Sequence, residues 1–408
     1  MEYNPIGYFK KKRNKRLILV LAFLIVITLL YLFGSPPLYE RSLPKLVNAK
    51  IVVRAENEDV ARDEPRIAEL EEMIIMYAVI EGKGPLDKET TFFTEESAKI
   101  IIDGKEIPDD RIEKWDDYWK SLDVAWIKIE PRVLRQEGKG QEDLSFLKYK
   151  HRWRFDNRYY WALPADAKPT SIIEWEVQQV RLNPNARFSD PRNYPGTMYF
   201  KIYAAIYRDD DAFNPISEAS TPGEESLGAD GLSPEIMRVT FVEDRSFVGY
   251  CTGFFNVVYI EGNEELIKNT SATERYMAIS NRSYIYESAI QAGYDLESKS
   301  IEGLRKACDV VHRDVYLMHS NNIYKGRTDP QMLTFSRKGV LPGDILVIGK
   351  NKKMAVLYSD GGLEVEPDKL FDGTDVVLCT GKDGLEKNYL ANVIDDQFEI
   401  WRLREQNK

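Results

Sequence analysis

Apolar and polar positions alternate through the first half of the chain in short runs rich in β-branched and aromatic residues. AKIVVRA (49–55), MIIMYAVIEG (73–82), KIIIDGKEI (99–107), VAWIKIEP (124–131), HRWRF (151–155), SIIEWEVQQVRL (171–182) and TMYFKIYAAIY (197–207) carry this pattern, with turn residues between them. A period of two places one face of each run against a core, so these segments predict strands. In KIIIDGKEI the pair Asp103-Gly104 predicts a hairpin turn, because a type I′ turn needs positive φ at both central residues. Seven such runs over residues 49–208 predict a β-sandwich of immunoglobulin-like kind.

The pattern then changes. Residues 209–235 are acidic, hold Pro, Gly and Ser, and show no apolar period, which predicts a linker. Beyond it, 251–268, 272–293 and 299–319 read as helices. They are followed by the short strands DILVIG, MAVLYSD, LEVE, DVVLCTG and QFEIWRL. Helices first and a small sheet afterwards predict an α+β domain over 236–408.

One segment lies outside both patterns. Residues 17–33, LILVLAFLIVITLLYLF, are seventeen uncharged and almost wholly apolar positions, at the lower edge of what spans a bilayer. Residues 1–16 carry six basic side chains against Glu2, a charge of +5, which leaves −15 for the rest of a chain whose net charge is −10. A basic tail before an apolar run predicts a cytoplasmic N-terminus, a transmembrane anchor at 17–33 and a stem at 34–48. The rival is a cleaved signal peptide, but the run exceeds the ~7–15 residues of its apolar region and GSPPLYE offers no A-x-A-like site. The expectation is a single-pass inner membrane protein with its bulk periplasmic or otherwise extracytoplasmic. An acidic body makes nucleic acid an unsuitable partner. The cysteines number three, odd and widely spaced, so they form no disulfide framework.

Candidate chemistry begins at Cys251 in RSFVGYCTGFFNVVYIEG (245–262). A helix starting there would set the thiol at its N-terminus, where free N–H groups favour a thiolate. The opposing reading is a buried structural cysteine, the commoner fate of a lone one. Cys308 and His312 stand four apart in a predicted helix, a spacing that could hold a metal, but no third ligand is suggested by spacing and no cofactor is expected. Cys379 in DVVLCTG reads as a sheet core residue, and His151 has no evident partner.

GYCTGFFNVVYIEGNEEL (249–266), LPGDILVIG (341–349), KMAVLYSDGG (353–362) and the terminal QFEIWRL together resemble the NlpC-type papain-fold cell-wall hydrolases. The resemblance covers about 160 residues of the C-terminal half and is nearest to little-characterised periplasmic members, some found beside macroglobulin-like envelope proteins. It implies a papain-like α+β domain with Cys251 as nucleophile, and it implies peptidoglycan or an envelope protein as partner. Where the family has its catalytic His, this chain has Lys353 (Met354 if the register slips by one). Where it has an Asp before the nucleophile, this chain has Tyr250. Glu364 or Glu366 stands at the place of the residue that orients the His. A lysine of ordinary pKa, near ~10.4, is charged at neutral pH and takes no proton.

Three readings follow. The favoured one is a degenerate, non-catalytic domain that binds peptidoglycan, a peptide or a protein partner. The second is a working thiol amidase or endopeptidase with Cys251 as nucleophile, Lys353 or a swung-in His312 or His319 as base, and Glu366 as orienting group. The third is a structural envelope subunit, which needs no cleft and predicts that Phe and Val side chains wall in Cys251.

Overall fold

The computed structural model describes residues 45–84, 89–94, 98–113, 122–133, 147–153, 179–182, 196–207, 214–221, 235–259, 272–317, 323–326, 330–350, 352–361, 366–381, 384–394 and 397–405. Strands account for 50% of it and helices for 12%. The first sheet is built on β1 (Lys45–Ala55) and β2 (Ile74–Lys83), paired antiparallel along their whole length. The second centres on β3 (Leu122–Val133), β4 (Thr197–Ile206) and β5 (Met237–Val242). Alternation divides β1 and β2 cleanly. Ala49, Ile51, Val53, Ile74, Met76, Ala78 and Ile80 share one core with Trp126, Ile202, Phe200 and Phe241 of the second sheet. Val52, Ile75, Tyr77 and Val79 face the other way, where they cluster with Phe92, Ile100 and Ile102 of neighbouring strands in the same sheet and with Ile107. Residues on both faces of β1 and β2 are buried, so their sequences are almost continuously apolar.

The expected turn at Asp103-Gly104 is present, with φ of 51° and 71° joining Lys99–Ile102 to Lys105–Glu106. The predicted linker is not wholly irregular: Ser217–Ser220 forms a strand on the edge of β4. Ser217 Oγ accepts from Leu46 N, and Thr221 Oγ1 donates to the Ala49 carbonyl. Those two hydroxyls tie an otherwise polar segment to both sheets, a role that an apolar period cannot reveal.

The C-terminal half departs further from expectation. Three short helices, α1 (Phe247–Thr252), α2 (Ser283–Gln291) and α3 (Ile301–Ala307), precede a sheet of eight strands. Its main members are β6 (Cys308–Leu317), β7 (Ile345–Ile348), β8 (Lys353–Ser359), β9 (Val376–Thr380), β10 (Leu385–Tyr389) and β11 (Phe398–Leu403), in the order β6-β11-β7-β8-β9-β10. The helix expected over 251–268 ends at Thr252, where Gly253 caps it and Asn256 turns to a φ of 67°. The one expected over 299–319 ends at Ala307. CDVVHRDVYL then continues as β6, because its β-branched residues pair with β11. The papain-like α+β domain is therefore not what these residues form, and the α+β class gives way to a mostly β chain.

Among the described residues no helix is long and apolar enough to cross a membrane. The longest, α2, has nine residues against the roughly 20 that a span needs. The expected single-pass inner membrane placement is thus without support in the structure. Residues 1–44, with the tail, the 17–33 segment and most of the stem, lie outside the described residues.

Candidate functional site

The geometry around Cys251 is set by the chain that leads into α1. Asp244 Oδ1 accepts from Ser246 N at 2.8 Å, and Ser246 Oγ caps the helix by accepting from Gly249 N at 3.1 Å. Thr252 Oγ1 donates back to the Gly249 carbonyl and accepts from Glu243 N. The helix is pressed so tightly onto its own entry that a Cβ on Gly249 would stand 2.2 Å from the Asp244 carbonyl oxygen.

Cys251 is the fifth of six residues, near the C-terminal end of α1 and not at its start. The free N–H groups expected to favour a thiolate point away from it. The residue is 0% exposed within a cluster that includes Phe247, Phe254, Tyr284, Ile345, Met354 and Leu378. Ser288 of α2 lies against the sulfur, yet burial pushes the thiol up to about 12. Cys308 and Cys379 are also buried and free, each pushed up to about 12 by burial. Cys379 sits in the sheet core, where its sequence context places it.

Lys353 opens β8 on the other face. Along this strand Met354 and Val356 belong to the cluster of Cys251, whereas Ala355 and Leu357 belong to the core on the far side. A period of two puts Lys353 with the latter pair. Its charge is accordingly felt by Cys379 and not by Cys251. Glu366 is exposed in an irregular segment after Gly361, and Glu364 is outside the described residues. The structure therefore does not bring Cys251, Lys353 and Glu366 together.

His312 lies on strand β6, so the four-residue spacing to Cys308 does not place the two on one helix face. No group of three metal-binding side chains is found among the described residues. His319 lies outside the described residues, as does the side chain of His151 on the strand Leu147–Trp153.

The segments that resemble the hydrolase motifs have local structural roles. In LPGDILVIG, Gly343 adopts a φ of 93°, and Asp344 Oδ2 accepts from Leu341 N to close the turn. Asp344, 1% exposed, then receives Arg402 of β11 through two bonds of 2.7 Å. In SDGG, Gly361 (φ 82°) donates its N–H to Asp375. Burial pushes the Asp375 carboxyl up to about 7, and the N–H groups of Gly361 and Asp372 oppose that rise.

Sequence reasoning did not find the polar cluster on the α1 side of the sheet. Tyr358 Oη donates to the Glu243 carboxylate at 2.7 and 2.8 Å, and Lys387 Nζ donates to it at 3.0 Å. The Lys387 ammonium also stands 3.8 Å from the Tyr358 ring centroid and 5.9 Å from that of Phe255. Burial lowers the Lys387 pKa, while Glu243 raises it. Glu243 follows β5 directly, so the cluster joins the second sheet to the third. The partners are far apart in sequence, and no motif signals them.

A cleft of about 300 Å³ opens elsewhere, beside the loop after β1. Val53, Val60 and Pro65 line it with Glu58, Asp59, Arg62, Glu64 and Arg66. Arg66 is committed to Glu58 by two bonds of 2.6 and 2.8 Å.

The chain was compared with protein families, curated proteins and solved structures, and nothing in any of the three matches it.

Proposed function

We propose that this protein is non-catalytic and works as a β-rich structural and interaction protein, with Cys251 serving as a core residue. The observation that carries this reading is the complete enclosure of Cys251 by Phe, Tyr and aliphatic side chains, with Lys353 on the opposite face of the sheet. Thiol hydrolysis needs a thiolate that substrate can reach and a base within hydrogen-bond distance. A sulfur without solvent contact, whose pKa burial raises, supplies neither. The segments that resemble NlpC-type hydrolases then persist as turns and strands.

A second reading, binding of a peptide-bearing ligand such as peptidoglycan, a peptide or a partner protein, is favoured by the cleft lined by Glu58, Arg62 and Arg66. Its volume is at the lower end for a ligand site. That cleft belongs to the N-terminal sheets and uses none of the C-terminal motif residues.

The test is the rate of iodoacetamide labelling of Cys251, read by mass spectrometry in native buffer and in urea, for the wild type and Lys353→Ala. The expected result is native labelling at least ~100-fold slower than in urea and unchanged by Lys353→Ala. Fast native labelling near neutral pH that the substitution alters would overturn the non-catalytic reading.

A further inference from the structure

His312 is the least comfortable side chain in the sheet. It is 8% exposed, and neither ring nitrogen has a hydrogen-bond partner. The backbone of Gly339 lies beside the ring without meeting hydrogen-bond geometry. The strand is bent on both sides of it: register slips against β11 occur between Val310 and His312 and between His312 and Val315, and Asp314 takes a φ of 21°. A buried polar group left unpaired is destabilising, so a purely structural position would favour an apolar residue.

The charges that face the ring are Lys325 from the neighbouring strand Ile323–Lys325, Arg402 from β11 and Asp344 at the start of β7. The remaining charged groups nearby, Asp309, Arg313 and Asp314 of β6 and Arg337 and Lys338 of the turn, are exposed. Glu399 of β11 accepts from Trp401 Nε1. Among the described residues Asp344 is the one carboxylate facing the imidazole, and Arg402 already holds both its oxygens. The same guanidinium donates to the carbonyls of Arg337 and Gly339, so Arg402 fastens the turn Ser336–Asp344 to the sheet.

We propose that the turn Ser336–Asp344 is an acid-released latch and that protonation of His312 is its trigger. The neutral ring is tolerated between Lys325 and Arg402. Once it takes a proton from solvent, it carries two N–H donors and a positive charge between two cations, and the acceptors beside it among the described residues, Asp344 and the Gly339 carbonyl, already receive Arg402. It must then draw Asp344 from Arg402 or swing out to water. Drawing Asp344 away breaks its two bonds to Arg402 and the bond from Leu341 N, which loosens the turn. A carbon added at Gly343 would stand 3.3 Å from Val248, so the turn lies close against α1. Burial, followed by Lys325 and Arg402, lowers the His312 pKa and outweighs Asp344 and the Gly339 backbone, which raise it. The fold therefore favours the neutral ring, and that stabilisation fades as pH falls below the unfolded value near ~6.5. The inference is independent of the proposed function.

Amide hydrogen exchange on the full chain at pH 7.5 and 5.0, corrected for intrinsic rates, tests it. Protection of Val340 and Leu341 is expected to fall at least ~10-fold at pH 5.0 in the wild type and to stay level in His312→Phe. Amides of Ile51 and Ile202 should keep their protection in both. Equal loss in His312→Phe, no loss in the wild type, or loss shared by Ile51 and Ile202 would each overturn the latch. Should His312→Phe not fold, the wild-type imidazole resonance decides: a titration midpoint below ~6.5 supports the latch, and one at or above it does not.

Discussion

Cys251 is surrounded by carbon, with Ser288 as its single polar neighbour of note, and that environment determines what its replacement would do. Removing the sulfur leaves a small void that the packed rings of Phe254 and Tyr276, stacked at 4.4 Å, are poorly placed to fill. Cys251→Ala should therefore lower unfolding free energy by about 1–2 kcal/mol in urea titrations, with an unchanged m-value. Lys353→Ala, at a half-buried strand start on the other face, should stay within about 0.5 kcal/mol of the wild type. A larger cost for Lys353→Ala than for Cys251→Ala would contradict the division of the two residues between faces. At this scale the chain was only partly legible. Three odd cysteines correctly signalled the lack of a disulfide framework, and DVVLCTG signalled a core residue at Cys379. Nothing in GYCTGFF distinguishes a thiol at the start of a helix from one a turn further along. That difference depends on where Ser246 caps.

The cap is an element-scale matter, and so is the tight entry into α1. Ser246, Asp244 and Gly249 form one unit in which Gly249 has no room for a side chain. Gly249→Ala should destabilise by about 3 kcal/mol or more, because the obstructing atom is a backbone carbonyl at 2.2 Å. Gly104→Ala makes the control: its φ is 71° but nothing lies within 4 Å of the added carbon, so the cost should be about 1 kcal/mol. Thermal or urea unfolding of the two variants checks the ordering, and equal losses would count against the packed entry. The β-branched and aromatic runs were the readable elements: β4 falls within its predicted run, β2 exceeds its run by Lys83, and β1 begins at Lys45, four residues before its run and within the predicted stem. The helices were over-read. Residues 308–317 hold apolar positions at spacings that suit either period over so short a run, and pairing with β11 decided for the strand. The first predicted helix ended at Thr252, with Gly253 as its cap and a positive φ at Asn256 beyond it.

At the scale of the whole molecule the question is what makes the N-terminal sheets and the C-terminal sheet one body. Tyr199 Oη donates to the Tyr276 carbonyl, and Thr197 Oγ1 donates to the Gly253 carbonyl at 2.8 Å. A Cβ on Gly196 would meet the Phe255 carbonyl oxygen at 2.5 Å. The ionic part of this seam is the pairing of Glu243 with Lys387, whose side chains are 30% and 9% exposed. Breaking a wholly buried pair costs roughly 3–5 kcal/mol, and partial exposure of Glu243 reduces that, so Glu243→Gln should cost about 2 kcal/mol at pH 7. The pH dependence identifies the source. In the wild type the folded pKa of Lys387 is lowered by burial, so stability from this group rises as pH climbs from that folded value towards the unfolded ~10.5. Glu243 supplies both the charge and the hydrogen bond that raise the Lys387 pKa. Without them the folded value drops further and recovery begins at lower pH. The deficit of Glu243→Gln should accordingly shrink between pH 7 and pH 10, and adding Lys387→Met should abolish that slope. A deficit equal at both pH values would mean that the seam is held by its apolar contacts and backbone bonds, with the buried ammonium contributing nothing to it.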